Sequence, residues 1–309
     1  MGRHALRAGD LTRGVVVNSA LLLQVLFAGL SIGAVYTLVA VGFGVVWGGT
    51  GAINFAQGEY VMLGGVVAAV VLELWGLPLL WCVLIAVAVT GLAGLATEIA
   101  ILGWGRVRSG EAITLATIAI AVILKGVVML ATDRQTYGLP SFFGDAPLRI
   151  GGASASTQML WNLGTAVLAV LLLAAFFRTT RRGTMLRAAA DDREVLQSFG
   201  VSFRSTARWA FVLAALLGGL AGAGLAPLTV MSFDSGTLLG LKGFAAAMLG
   251  GLGSPYGALA GGLLLGVAEA AVAGYGAPAY ADAVAFVVLL VVLFTRPTGL
   301  FGQAKVARV

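Results

Sequence analysis

The apolar runs of this chain follow one another at lengths close to the thickness of a lipid bilayer. They cover residues 15–47, 59–75, 79–102, 113–130, 159–177, 209–228, 237–253, 256–272 and 283–295. An α-helix needs roughly 20 mostly apolar residues to cross the hydrocarbon core, and inside that core a helix satisfies its backbone polar groups within one segment. With 60% hydrophobic residues, 10% charged residues and a mean hydropathy of +1.00, the apolar surface is too large for a water-soluble core to hide. The expected fold is all-α: a polytopic membrane protein with eight to ten membrane segments, including short or broken helices, and a cytoplasmic C-terminus. Run 15–47 is too long for one ordinary span and short for two.

The 45 glycines lie inside these runs without a collagen-like period. Small residues let helix backbones approach closely in a bilayer. Gly29, Gly33, Gly218, Gly219, Gly222, Gly261, Gly262 and Gly266 are therefore expected at packing positions, and some glycines at helix breaks.

Lys and Arg are unevenly placed, and short loops rich in them stay on the cytoplasmic side. Three lie in the N-terminal tail (Arg3, Arg7, Arg13), two in a short loop (Arg106, Arg108), seven between 178 and 208, and three at the end (Arg296, Lys305, Arg308). Segment 131–158 carries only Arg134 and Arg149, offset by Asp133 and Asp145, and is expected outside. The resulting plan is a cytoplasmic basic tail over 1–14, a single transmembrane domain over 15–296 and a cytoplasmic tail over 297–309. Within that domain, 131–158 is an outside loop and 178–208 a cytoplasmic one. The plan divides run 15–47 into two short crossings, whereas a single tilted helix would put the N-terminus outside. The tail lacks a clean small-residue cleavage site and is expected to be retained. Orientation accounts for the net charge of +6, so no nucleic-acid partner follows from it.

Cys82 is the only cysteine and His4 the only histidine, which nearly excludes zinc, haem and histidine acid–base chemistry. No Gly-Lys dipeptide occurs, so nucleotide phosphates cannot be held in the P-loop manner. No catalytic constellation is visible. The expectation is a chain that is not an enzyme, uses no cofactor or metal, and leaves ATP hydrolysis to other subunits.

Two glycine-rich breaks interrupt the apolar pattern. Residues 48–65, GGTGAINFAQGEYVMLGG, introduce Asn54, Gln57 and Glu59. This is either a turn at the interface or a partly re-entrant segment, which is tolerated at membrane depth only where protein or water surrounds it. Residues 241–262, LKGFAAAMLGGLGSPYGALAGG, form the second break, with Lys242 starting a short segment near the outside and Glu269 following. Paired interruptions of this kind point to a central pathway, although both could be hairpin turns. Acids within membrane segments are functional candidates, so the pathway candidates are Asn54, Gln57, Glu59, Lys242 and Glu269. Lys125, near the outer end of its span, is expected to snorkel to the interface. Glu98, one turn from its cytoplasmic end, is expected to be an ordinary interfacial carboxylate.

The polar stretch 178–208 is too long for a minimal turn. Residues 184–199 contain good helix formers, with Met185, Leu186, Ala189, Val195, Leu196 and Phe199 as apolar positions and Gly200 as a stop. They form either a basic amphipathic helix on anionic membrane lipid or a docking element for a cytoplasmic partner.

The runs GAVYTLVAVGFGVVWGGTGAINFAQGEYVMLGG, RAAADDREVLQSFGV, GLKGFAAAMLGGLGSPYGALAGGLLLGVAEA and RPTGLFG resemble the permease subunits of branched-chain amino-acid ABC importers, specifically the shorter of the two paired permeases. The resemblance runs in order from about residue 28 to 302. It implies a second related permease subunit, two cytoplasmic ATPase subunits and an external substrate-binding protein, in the cytoplasmic (inner) membrane of a prokaryote. It makes the 184–200 helix an ATPase-coupling element, with Arg187, Asp191, Asp192, Leu196 and Gly200 as the residues to test. Many members of this family have His where this chain has Gln57, which removes a titratable group, and Lys125 is unexpected in its span. The implied function is inward movement of branched-chain or related amino acids by alternating access. The alternatives are import of urea or short amides within the same family, or a stand-alone secondary carrier or channel.

Overall fold

Among the described residues, ten α-helices form where the sequence is apolar or rich in helix formers, and polar or glycine-containing residues separate them. The computed structural model describes residues 19–103, 109–144, 146–150, 152–191, 202–276, 278–296 and 298–302. Its helices are α1 (Ser19–Thr50), α2 (Gln57–Trp75), α3 (Leu79–Leu102), α4 (Gly110–Ala131), α5 (Gln158–Thr179), α6 (Arg181–Asp191), α7 (Phe203–Leu225), α8 (Ser235–Gly250), α9 (Pro255–Tyr275) and α10 (Ala281–Thr295). A short antiparallel hairpin, β1 (Leu148–Ile150) and β2 (Ala153–Ala155), precedes α5. Local chemistry sets several starts. Ser109, Ser202 and Ser254 cap α4, α7 and α9 by accepting from Ala112, Ser205 and Gly257 backbone N–H groups, and Pro255 opens α9, where a missing N–H costs nothing.

Among the described residues, eight helices are long and apolar enough to cross a bilayer, which makes this a multi-pass membrane protein. Helix α8, with 16 residues, falls short of a full crossing, whereas α10 reaches 18 residues together with the 3-10 turn Pro278–Tyr280 that precedes it. Helix α8 ends at Gly251 and Gly253, whose φ angles of 100° and 91° a residue with a side chain rarely adopts.

Helix α1 corrects the expectation of two short crossings over 15–47: it is one uninterrupted helix of 32 residues, about 48 Å long. No proline interrupts it, and its glycines are used for packing instead of breaking the helix. A Cβ on Gly29 would lie 2.6 Å from Val267 Cα, and one on Gly33 would lie 2.8 Å from Gly262 O. The backbones of α1 and α9 thus meet directly, as small residues permit. Gly218, Gly219 and Gly222 of α7 pack in the same way against Tyr60, Thr90 and Val61. The basic tail 1–14 lies outside the described residues. The start of α1 nevertheless sits on the same face as the hairpin, with Ala20 beside Gly152.

On this hairpin face, Tyr137 and Met231 exchange backbone hydrogen bonds of 2.8 and 2.7 Å, joining the segment after α4 to the one after α7. On the opposite face, the end of α1 meets α6 and α7, where Gly49 packs on Leu186 and Ala210. Residues 298–302 return to this end of the bundle, with Leu300 and Phe301 N–H groups donating to Leu249 and Gly250 carbonyls. Helix α1 is the most enclosed span, while α4 and α10 are the most thinly covered.

Candidate functional site

The polar residues of the first break enclose an irregular stretch of backbone. After Thr50 the chain turns at Gly51 (φ 59°) and runs back along α4. There the N–H groups of Ile53 and Phe55 donate to Thr114 Oγ1 (3.1 Å) and Thr117 Oγ1 (3.0 Å). Asn54, fully buried, accepts from Ala56 N–H, and Gln57 Nε2 donates to Ala214 O at 2.9 Å. Gln57 lies against Gly42, eight residues before the end of α1 and so about 12 Å along its axis. Residues 51–56 therefore fold back alongside α4, with Ala52, Asn54 and Ala56 buried and Gly51, Ile53 and Phe55 partly covered, as irregular backbone at membrane depth requires protein or water around it.

Glu59, in the first turn of α2, is 3% exposed. Its Oε1 accepts from Thr237 Oγ1 at 3.1 Å, and its Oε2 has no hydrogen-bond partner. Gly58 packs on the backbone of Gly236 and Gly240, so the N-termini of α2 and α8 meet around this carboxylate. Helix N-termini favour negative charge, and broken helices that end inside a membrane protein are where transporters hold polar cargo.

The second group centres on Lys242, which lies in the middle of α8 and is buried, instead of starting a segment near the surface. Its Nζ contacts Glu269 Oε1 at 2.5 Å and Asp282 Oδ1 at 2.6 Å. Tyr36 donates to Glu269 Oε2 at 2.8 Å, and its ring centroid is 5.7 Å from Lys242 Nζ. Four helices, α1, α8, α9 and α10, contribute one residue each. The side chains of Lys242 and Glu269 are 6% and 11% exposed while that of Asp282 is 60% exposed, so one arm of the cluster is dry and the other is open. Sequence reasoning named Lys242 and Glu269 but missed Asp282 and Tyr36. Asp282 carried a usable signal as the only charged residue between Glu269 and Arg296, whereas Tyr36 carried none. Helix α8 joins the two groups: Thr237 and Lys242 are five residues apart, about 8 Å along the axis.

At the opposite end, α6 begins at Arg181, three residues ahead of the expected start. Leu186 and Ala189 are buried, with Leu186 packed against the end of α1, and Gly183 meets Phe176 of α5. Arg187 is exposed. Asp191 closes the described part of α6, while Asp192, Leu196 and Gly200 lie outside the described residues. The Arg182 guanidinium stacks over Trp209, 4.1 Å from the ring centroid, linking α6 to α7.

Glu98 is fully buried, which corrects its reading as an ordinary interfacial carboxylate. Its two oxygens accept from Arg204 Nε and Arg208 Nε, both at 3.1 Å, and these bonds fasten α3 to the first turns of α7. Lys125 of α4 is half-buried, with Nζ 5.8 Å from the Phe233 ring centroid.

Residues 25–293 match the family described as the permease component of branched-chain amino acid transport systems. The high-affinity branched-chain amino acid transport system permease protein LivH of Salmonella typhimurium is 32% identical, with 93% of this chain and 97% of that one aligned. The corresponding protein BraD of Pseudomonas aeruginosa is also 32% identical, over 93% of this chain and 98% of its own. A probable LivH of Methanocaldococcus jannaschii is 28% identical over 86% and 88%. Among solved structures, a chain of PsaBC from Streptococcus pneumoniae in complex with Fab aligns with 91% of this chain and 94% of its own at 16% identity and TM-score 0.49, too remote to bear on function. A family match across almost all the spans, together with two relatives of nearly equal length at this identity, places the chain in the branched-chain amino acid transport system permease family.

Proposed function

We propose that this chain is one permease subunit of an ATP-driven importer that moves branched-chain or related amino acids inward across the cytoplasmic membrane of a prokaryote. ATP is hydrolysed on separate subunits. The observation that carries this reading is the seat of α6, whose apolar side is buried on the ends of α1 and α5 while Arg187 faces outward. A helix held on the bundle in this way, with a basic side uncovered, suits a cytoplasmic partner better than a free lipid surface. An ATPase subunit seated on α6, and on the residues that continue to Gly200, would shift the ends of two spans together.

In this arrangement the α6 face is cytoplasmic and the hairpin face is external, where a substrate-binding protein delivers cargo. A second related permease covers part of the remaining surface. Transport proceeds by alternating access between two discrete packings of the permease pair. The polar groups serve the pathway: Asn54 and Gln57 in the re-entrant stretch beside α1 and α7, Glu59 at the first turn of α8, and Lys242 with Glu269 further along that helix.

The test is copurification of the tagged chain from its native membrane, followed by leucine uptake in proteoliposomes. An ATPase and a second permease should copurify, and Arg187→Glu should lower substrate-stimulated ATPase activity while the spans still insert. Stimulation unchanged in Arg187→Glu, or a chain recovered without an ATPase, would sink the coupling role. The buried Lys242 cluster also suits a stand-alone carrier, and ATP-independent uptake by the purified chain alone would favour that reading.

A further inference from the structure

Glu59 is a buried carboxylate without a cation. Burying a charge is costly unless it is paired, and Oε2 of this residue has no hydrogen-bond partner. The charged groups whose fields reach it are Lys125 and Asp234, and neither forms an ion pair with it. Asp234 is exposed and accepts from Ser232 Oγ at 2.6 Å. The local charge is thus two acids against one lysine, a deficit of one positive charge.

Lys125 shows the opposite mismatch. No carboxylate lies within ion-pair distance of its Nζ among the described residues, and the ring of Phe233 lies beside it, 5.8 Å from Nζ to centroid. It sits six residues before the end of α4, one of the two most thinly covered spans. A lysine there either snorkels along the helix to water or answers a charge that arrives with a ligand. Glu59 lies just behind an open edge, because Thr237, which donates to it, is itself exposed.

Lys125 and Glu59 contact Phe233 and Thr237, four residues apart at the start of α8, and do not pair with each other, so an ammonium and a carboxylate flank one turn of chain as two separate poles. We propose that Glu59 and Lys125 are the poles of a site for the head group of a zwitterionic amino acid: the ligand's ammonium meets Glu59 Oε2 and its carboxylate meets Lys125 Nζ. The N-termini of α2 and α8 already stabilise the negative charge of Glu59, so the incoming carboxylate has the lysine as its counterpart. Phe233 and the bare backbone of Gly58 and Gly236 leave an uncharged wall beside the head group. Glu59 is closed off in the present packing, and parting of the α2 and α8 ends opens the site. Urea, which has neither charged end, does not bridge the two poles. This assignment rests on the amino-acid reading of the function.

The experiment uses the complete importer in proteoliposomes, in a Cys82→Ser background with Met129→Cys as a reporter one helical turn from Lys125. Leucine should slow thiol labelling at the reporter, while leucinamide, which lacks the carboxylate, and 4-methylpentanoate, which lacks the ammonium, should not. Lys125→Met should raise the KM for leucine uptake by about 10- to 100-fold with a smaller change in kcat, the loss of one charge-assisted hydrogen bond, and should abolish the protection. Lys125→Arg should restore both. Glu59→Gln should raise the KM for leucine and weaken its protection of the reporter, while the preference for leucine over leucinamide, set at the lysine pole, should persist.

An unchanged KM in Lys125→Met with protection retained would overturn the inference, leave amino-acid import standing and make Lys125 a snorkelling residue. Wild-type importer that takes up urea and not leucine would overturn the amino-acid reading itself, and the head-group site with it.

Discussion

Replacing Lys242 by Met tests whether the cluster at the centre of α8 is as dry as its geometry indicates. The substitution keeps an unbranched side chain, one atom shorter, and removes the charge. It leaves the Glu269 carboxylate, 11% exposed in its side chain, with only the Tyr36 hydroxyl at 2.8 Å, and leaves Asp282 as a second acid with no cation between them. Removing one partner of a buried pair costs about 3–5 kcal/mol, because the other charge remains uncompensated. Asp282→Asn removes the arm whose side chain is 60% exposed, where water already screens the charge, so its cost is at most about 1 kcal/mol. Neutralising the stranded acid should recover most of the loss, so Lys242→Met/Glu269→Gln should be more stable than Lys242→Met alone. The assay is the midpoint of thermal loss of the monodisperse peak of the detergent-solubilised complex, read by fluorescence-detected size exclusion at one heating protocol. The expected order of stability is wild type, Asp282→Asn, the double variant, then Lys242→Met. If Lys242→Met falls no further than Asp282→Asn, or if the double variant is no better than Lys242→Met, water reaches the pair and the reasoning fails.

Gly33→Val should prevent accumulation of folded chain in the membrane, because its Cβ would lie 2.8 Å from Gly262 O and from Leu263 Cα, both backbone atoms that cannot yield. Gly126→Ala in α4, where nothing lies within 4 Å, should be neutral or stabilise by about 0.5–1 kcal/mol, and comparing the two variants by membrane yield separates packing from propensity. Gly251→Ala, at φ 100°, should lower thermal stability by about 1–3 kcal/mol and disturb the packing of residues 298–302 on the end of α8; an unchanged midpoint would show that the turn tolerates a side chain. Glu98→Gln weakens two bonds to half-exposed arginines, a loss of about 1–2 kcal/mol, and should reduce the ratio of substrate-stimulated to basal ATPase activity more than it reduces assembly. An unchanged ratio would confine Glu98 to a structural role.

The spans were legible in the sequence because hydropathy is a local property. Run 79–102 coincides with α3, and runs 59–75 and 159–177 fall within two residues of α2 and α5 at each end. Glycine was readable only in part: the same residue serves as a close-packing surface at Gly29 and Gly33 and as a turn at Gly251 and Gly253, and only the partner backbone separates the two uses. Run 15–47 suggested two crossings for a different reason, its length beyond one ordinary span and the basic residues ahead of it, where a single long helix forms. The polar candidates were found because polar residues in apolar surroundings stand out. Their partners were not, because the pairs of Lys242 with Asp282, Tyr36 with Glu269 and Glu98 with Arg204 span long stretches of chain that no local pattern records. Depth was hidden for the same reason: Glu98 sits near a helix end in sequence, yet α7 covers it completely.

The length of α1 gives the bundle a pushrod. One end bears on Leu186 of α6, and Tyr36, fourteen residues back from Thr50, touches the Lys242 cluster about 21 Å away. No proline or break lies between these points to absorb an axial shift, and Gly29 and Gly33 grip α9 backbone to backbone. A displacement delivered at α6 therefore cannot stay local: it must either slide the α1–α9 seam or carry Tyr36 and Glu269 together past Lys242. In the proposed importer, work done on one side of the membrane would thereby become a change of ion pairing well inside it, through a single rigid member.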